Sequence, residues 1–374
     1  MKKTLLCLLL CALLCAPVYA VSDAPENAAR SCILVCLDGG RVLYEKNADE
    51  FLPIASTTKI MTAMLVLEAC DLADEVVIPP ECADVEGSRM ELTPGDTASV
   101  EDLLYGLMLQ SGNDAAIALA VHAAGSVEAF AEQMNEKCAA LGLTKTHYVN
   151  PHGLDAEGQG STARELALIA QAAMEDPTFR RIVSTERKTI GGKTYVNHNR
   201  LLRTYPGALG VKTGYTMAAG RILVSCAERN GMRLLCVTIA DPDDWADHTA
   251  LLDWGFQEYQ MFEGEGISYV LPVFSGEARA CAVVPEQTPR LLLRAGETPR
   301  IRAALPRFVF APLRRGQTLG TLTLTAPDGT EAAVPLVCAG AVPADAALPL
   351  SFPEKLARFW RLAGRALFSF NLQI

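Results

Sequence analysis

Ser56 and Lys59 stand three residues apart in PIASTTKIMTAM, at the head of an apolar run. On a helix, positions i and i+3 share a face, so the lysine amine reaches the serine hydroxyl. An unassisted hydroxyl is a poor nucleophile and needs such a base within hydrogen-bond reach. Burial and a second nearby cation would keep Lys59 neutral part of the time, and a helix N-terminus favours negative charge developing at Ser56. The same residues also describe a plain helix cap, because Ser is a favoured N-cap. Two more short motifs bear on the choice. Ser111-Gly112-Asn113 lies in LMLQSGNDAAIALA, between two helix-like stretches, and Lys212-Thr213-Gly214 lies in GVKTGYTMAAGRILVS, leading into a strand. Ser111 can relay a proton between Lys59 and a leaving amine, and Asn113 can hold an amide. Lys212 and Thr213 suit a terminal carboxylate, and Gly214 lets another backbone come close to the strand. Taken singly, Ser111 to Asn113 is as easily a turn that caps a helix, and Lys212 to Gly214 a surface strand end.

The elements that must position these residues read as an α/β sandwich. SCILVCL, the turn Asp38-Gly39-Gly40 and RVLYEKN predict a β-hairpin near the start. Thr58 to Ala69 is apolar all round, which predicts a buried helix. SVEDLLYGLML begins with Ser99 and carries Glu101 and Asp102 in its first turn, and STARELALIAQAAM is another capped helix. GRILVSCAE and RLLCVTIAD read as adjacent strands. Strands at both ends with helices between predict one antiparallel sheet flanked by helices, not alternating βαβ units. Past Gly264 the composition turns to Pro, Val, Leu and Thr, and residues 265–340 predict a small all-β domain with a hairpin turn at Pro327-Asp328-Gly329.

Both ends of the chain carry their own signals. Residues 1–20, MKKTLLCLLLCALLCAPVYA, have the positive start, apolar stretch and small-residue cleavage site of a secretory signal, which is too short to span a membrane. Removing Lys2 and Lys3 takes the formal charge from −10 to −12, an acidity that argues against nucleic acid as a partner. After a linker at 341–351, Leu356, Phe359, Trp360, Ala363, Leu367 and Phe370 share one helical face. Lys355, Arg358, Arg361 and Arg365 lie off that face. Residues 352–370 therefore predict an amphipathic helix that lies on a membrane surface. Nine cysteines outside the signal, scattered through apolar stretches, do not make a disulfide framework, and none has zinc-ligand spacing with His. No metal or cofactor is expected.

Ser-x-x-Lys, Ser-x-Asn and Lys-Thr-Gly, in that order, are the three elements of the penicillin-recognising serine acyl enzymes. With SVEDLLYGLMLQSGNDAAIALA, NPHGLDAEGQGSTARELALIA, NRLLRTYPGALGVKTGYT and LLDWGF, residues 28–262 resemble the serine-type D-alanyl-D-alanine carboxypeptidases, the low-molecular-mass penicillin-binding proteins. The resemblance implies that Ser56 attacks the bond between two D-alanines at the end of a peptidoglycan stem pentapeptide. It also implies an oxyanion held by the N–H groups of Ser56 and Tyr215, and β-lactams that acylate the same serine. Three positions depart from the family pattern. Tyr215 follows Gly214 where several relatives carry His, and Glu165 replaces an Asp. DPDDWADHTA is acidic where some relatives carry an arginine for the substrate carboxylate, which leaves that recognition to Lys212, Thr213 and Thr216. His152 reads as a loop-structuring residue. The competing readings are a D,D-endopeptidase, a β-lactamase, for which no Glu-x-x-x-Asn segment supplies the deacylating base, and a non-catalytic wall-binding module.

Overall fold

The computed structural model describes residues 22–345 together with Phe359 and Trp360. The signal segment 1–20, the end of the linker and nearly all of the terminal helix lie outside the described residues. The chain divides into two compact units, one running to Gln260 and the other from Met261.

In the first unit, β1 (Ser31–Cys36) is buried at every position and β2 (Arg41–Lys46) only in part, as suits an inner strand and an edge strand. A 3₁₀ turn at Ala55–Thr58 runs straight into α1 (Lys59–Ala69). After the short ladder of β3 (Glu75–Val77) and β4 (Thr97–Ser99), Ser99 starts α2 (Val100–Tyr105). Its hydroxyl accepts from the Asp102 N–H at 3.1 Å, with Glu101 and Asp102 in the first turn. A π turn at Gly106–Gln110 ends at Ser111 in the left-handed conformation, and α3 (Asn113–Ala124) begins two residues later. Helices α4 (Val127–Ala140), α5 (Ala163–Met174) and α6 (Pro177–Val183) follow. The α5 cap is Thr162, whose hydroxyl accepts from the Glu165 N–H at 3.1 Å, so this helix starts two residues after Ser161. The hairpin of β5 (Arg187–Ile190) and β6 (Lys193–Val196), and the short α7 (Leu201–Thr204), lead to the strands β7 (Ala208–Thr216), β8 (Gly220–Arg229) and β9 (Met232–Ile239). Helix α8 (Asp244–Glu258) closes the unit.

The sheet order is β2-β1-β9-β8-β7, antiparallel at every pairing. Strand alternation sorts its two faces. Ile33, Val35, Leu235, Val237 and Ile239 join the core built by α1, α3 and α5, whereas Leu34 and Leu234 lie under Gly255 of α8. The expected sandwich is therefore present, with a helical layer on one face and α8 on the other. Strand β7 forms the free edge, and the 3₁₀ turn that carries Ser56 packs against it.

In the second unit, β10 (Tyr259–Glu263) pairs with β13, and a six-stranded sheet has the order β14-β16-β17-β12-β11-β15. These strands are β11 (Tyr269–Phe274), β12 (Ala280–Pro285), β13 (Arg290–Arg294), β14 (Arg300–Ala304), β15 (Val309–Phe310), β16 (Thr318–Thr325) and β17 (Glu331–Cys338). The last two form the hairpin expected around Pro327-Asp328-Gly329, where Asp328 accepts from the Thr330 N–H at 3.0 Å. Val283, Leu322, Leu336 and Cys338 fill its core. Phe359 sits with its ring 6.4 Å from that of Phe274. Of the nine cysteines described, eight are buried, Cys70 is half-buried, and none is paired in a disulfide. Among the described residues, no single helix is long and apolar enough to cross a membrane.

Candidate active site

The 3₁₀ turn brings Ser56 and Lys59 onto one face, with Lys59 Nζ 3.0 Å from Ser56 Oγ. Lys59 is wholly buried, and its amine also donates to Asn113 Oδ1 at 2.7 Å and to the His152 carbonyl at 2.6 Å. Burial first, and then the positive charge of Lys212, hold this amine well below its ordinary 10.5, with Asp114 opposing them. A neutral amine has two donors and one lone pair. Asn113 and His152 take the donors, so the lone pair is left for the Ser56 hydroxyl proton. His152 does shape its loop: its Nδ1 accepts from the Leu154 N–H at 3.2 Å, and burial holds the ring pKa down to about 3.

The loop at 150–154 presses on this turn. A Cβ at Gly153, where φ is +90°, would collide with the Ala55 carbonyl, and Ala55 itself has a φ of +44°. Gly214 on β7 meets the turn from the other side. A side chain there would come within 3.3 Å of Ala55 Cβ, the Ile54 carbonyl and the Ser56 nitrogen. The bare backbone at Gly214 is therefore required first by the protein's own packing. A left-handed non-glycine residue is strained by about 1–3 kcal/mol, and the site holds two, Ala55 and Ser111, both fixed by their neighbours.

Ser111 does not meet Lys59 directly. Its Oγ accepts from Lys212 Nζ at 3.1 Å, and Lys212 also donates to the Thr213 carbonyl at 2.8 Å. Lys212 is 2% exposed, and burial lowers its pKa from 10.5 to about 7. Asn113 is engaged at both ends of its amide, by Lys59 at Oδ1 and through Nδ2 with the Glu86 carbonyl at 2.6 Å. It thereby ties Lys59 to the loop at 86–92. Buried Asp114 holds the same loop, since its carboxylate accepts from the N–H groups of Met90, Leu92 and Ala115 at 2.9–3.1 Å. Nothing in the motifs pointed to Asp114 beyond its place next to Asn113.

Ser56, Ser111, Thr213, Gly214 and Tyr215 line one cleft of about 480 Å³. Tyr215 is 61% exposed. Thr216 is not brought into this cleft: its hydroxyl donates to Asp155 at 2.9 Å and accepts from the Ala219 N–H at 3.1 Å, stitching the β7–β8 turn. The expectation that Thr216 helps to bind a carboxylate does not fit this geometry, because its hydroxyl already faces one. The cleft also contains residues that no motif announced: Ser88, His198, Arg221, Asp244 and Trp245. Among the described residues, no cluster of three or more His, Cys, Asp or Glu side chains is placed to hold a metal ion.

A serine paired with a buried lysine, packed against the free edge strand of a sheet with helices on both faces, defines the class of serine acyl enzymes that recognise penicillin. The chain belongs to the D-alanyl-D-alanine carboxypeptidase family, whose sequence pattern residues 19–243 match. It is 34% identical over 315 residues to the D-alanyl-D-alanine carboxypeptidase DacF of Bacillus subtilis, covering 79% of this chain and 81% of that one. It is 36% identical over 323 residues to DacC of Escherichia coli, with 80% of each chain covered. The fold is similar to that of penicillin-binding protein 5 from Haemophilus influenzae, with a TM-score of 0.70 at 30% identity over 86% of this chain and 99% of that one. Its reaction class is thus hydrolysis of D-alanyl-D-alanine peptides by a serine enzyme.

Proposed function

We propose that Ser56 is the nucleophile and Lys59 its base, and that the chain removes the terminal D-Ala from peptidoglycan stem pentapeptides. The observation that carries this is the 3.0 Å approach of Lys59 Nζ to Ser56 Oγ, with both amine donors already taken by the protein. Ser56 Oγ bonds to the carbonyl carbon as its proton passes to Lys59, and the negative charge on the carbonyl oxygen is held by the N–H groups of Ser56 and Tyr215. The C–N bond then breaks as the proton that Lys59 took from Ser56 passes on to the leaving amine, with Ser111 at the cleft wall as the relay once substrate fills the cleft, so that Lys59 is a free amine again. Water attacks the resulting ester as its proton passes to Lys59, and Lys59 returns that proton to Ser56 Oγ as the C–O bond breaks, which frees both the serine and the amine. Asp244 is the one carboxylate among the cleft-lining residues, and it is ion-paired with Arg221 at 2.5 Å. A dedicated carboxylate base for fast deacylation, as a β-lactamase needs, is therefore not supported, and β-lactams should leave a slowly hydrolysed adduct on Ser56.

The chemistry belongs to residues 28–262. We place the protein at the outer face of the cell membrane, exported by residues 1–20 and held there by the basic amphipathic segment 352–370. Truncation after Pro349 should release it from membranes with activity on soluble peptides intact. A truncated chain that stays membrane-bound would remove the anchor.

The deciding experiment is the intact mass of wild type and Ser56→Ala after penicillin, with free D-Ala assayed on diacetyl-Lys-D-Ala-D-Ala. Wild type should gain one penicillin and release D-Ala, and Ser56→Ala should do neither. An adduct without D-Ala release points to cross-link endopeptidase action. Labelling retained at the site in Ser56→Ala would remove the nucleophile assignment.

A further inference from the structure

The substrate ends in a carboxylate, yet the acidic DPDDWADHTA segment offers no arginine to meet it, and Lys212 is an uncertain cation. With its pKa lowered to about 7, its amine carries a proton only about half of the time at neutral pH. A guanidinium does not titrate in this range. Arg221, the second residue of β8, lies directly opposite Tyr215 on β7, and Leu223 lies opposite Thr213. Opposed residues share a sheet face, and so do residues two apart, so Arg221 stands on the face that carries Thr213 and Tyr215. It lines the same cleft as Ser56 and Ser111.

Its surroundings read as a mount. Asp244, in the first turn of α8, is 3% exposed and accepts from the Arg221 Nη2 at 2.5 Å. The indole of Trp245 lies 5.8 Å from the Arg221 guanidinium carbon, and Arg200 is 5.7 Å from the same ring. The Arg221 side chain is nevertheless 44% exposed. A guanidinium carries five N–H donors in one plane. The buried carboxylate takes one donor edge, the indole steadies the plane, and the exposed remainder faces the cleft.

We propose that Arg221 is a specificity-determining residue that recognises the terminal carboxylate of the scissile D-Ala, with Asp244 and Trp245 as its positioning residues. This rests on the carboxypeptidase reading above. It places the carboxylate-binding cation on the strand beside the Lys-Thr-Gly strand, in a chain whose helical approach to the site is acidic.

The test compares diacetyl-Lys-D-Ala-D-Ala with its C-terminal methyl ester on wild type, Arg221→Gln and Arg221→Lys, with released D-Ala or its methyl ester read by mass spectrometry. Gln keeps a donor for Asp244, so the buried carboxylate is not orphaned. Losing a charge-assisted, two-point contact should lower kcat/KM on the free acid roughly 10- to 100-fold, chiefly through KM. Turnover of the methyl ester should stay within about twofold, and Lys should recover only part of the loss, because it lacks the fork. Equal losses on acid and ester would give Arg221 a merely structural role and overturn the proposal. Unchanged kinetics on the acid would overturn it too. A wild type that releases no D-Ala from the acid would sink the carboxypeptidase reading itself, an outcome visible before any variant is compared.

Discussion

Lys212→Met should make the first unit more stable at neutral pH and less stable at alkaline pH. Lys212 is wholly enclosed, and its pKa falls from 10.5 to about 7 through burial. Between those values the unfolded chain holds a proton that the folded chain lacks, so the stability contributed at this residue rises with pH across that window. The penalty is fully present below about 7 and has vanished above 10.5. At 1.36 kcal/mol per unit, the span from 10.5 to about 7 gives an upper bound of about 5 kcal/mol. Methionine has a similar reach and no charge to desolvate. It gives up the hydrogen bonds to Ser111 Oγ and the Thr213 carbonyl, at about 1 kcal/mol each. The variant should thus gain up to about 3 kcal/mol at pH 7, whereas by pH 10 the relieved penalty shrinks to about 1 kcal/mol and the variant should be the weaker by a similar amount. Urea unfolding followed by tryptophan fluorescence at both pH values reads the crossing, and Trp245 and Trp254 both lie in this unit. A variant less stable than wild type at pH 7, or a difference that ignores pH, would show that Lys212 keeps its proton when folded. The account of the two-lysine site would then be wrong.

Two further changes test the frame around the serine. Asp114→Asn should lower stability by about 2 kcal/mol, because the amide nitrogen cannot accept from the Leu92 N–H. Since Asp114 raises the Lys59 pKa, its neutralisation should also move the acid limb of the acylation-rate profile to lower pH; an unmoved limb would separate the two residues electrostatically. Gly214→Ala should slow penicillin acylation about 10-fold or more, because its Cβ meets the Ser56 nitrogen at 3.3 Å and must push the turn that carries Ser56. A wild-type acylation rate would mean that the turn has slack.

The parts of this site that lie close together in sequence were legible in it. Ser56 and Lys59 need only one helical turn to meet, and helix periodicity supplies it. The sheet and its flanking helices followed from apolar patterning and caps such as Ser99, and the second unit from its turn chemistry. Contacts made by the tertiary path were not legible. Ser111 faces Lys212 and not Lys59, because the π turn at 106–110 delivers it in a left-handed conformation that its residue type does not announce. Arg221 and Asp244 are 23 residues apart and meet only once β9 has returned the chain to the start of α8. Glu165 looked like a simple exchange for Asp. It proves long enough to accept from the N–H groups of Thr144 and Lys145 and from the Thr146 hydroxyl, which only the fold brings within reach.

On the proposed mechanism, the two buried lysines would divide a task that neither could do alone. A base must be neutral before reaction, and the substrate's carboxylate needs a cation, yet one amine at one pKa cannot serve both ends near neutral pH. Burial and the charge of Lys212 push the Lys59 pKa well down, and burial alone lowers that of Lys212 to about 7. Lys59 is therefore sensitive to the charge of Lys212. A carboxylate entering beside Lys212 would favour its ammonium, and that charge would press Lys59 further toward the free amine. On the proposed mechanism, binding of the correct terminus would prime Lys59, 3.0 Å from Ser56, while an uncharged terminus would leave it less poised. A permanent cation at Arg221 fits this division, because it attracts the carboxylate without spending the titration of Lys212. Selectivity for a free carboxyl terminus would accordingly show in the chemical step as well as in binding.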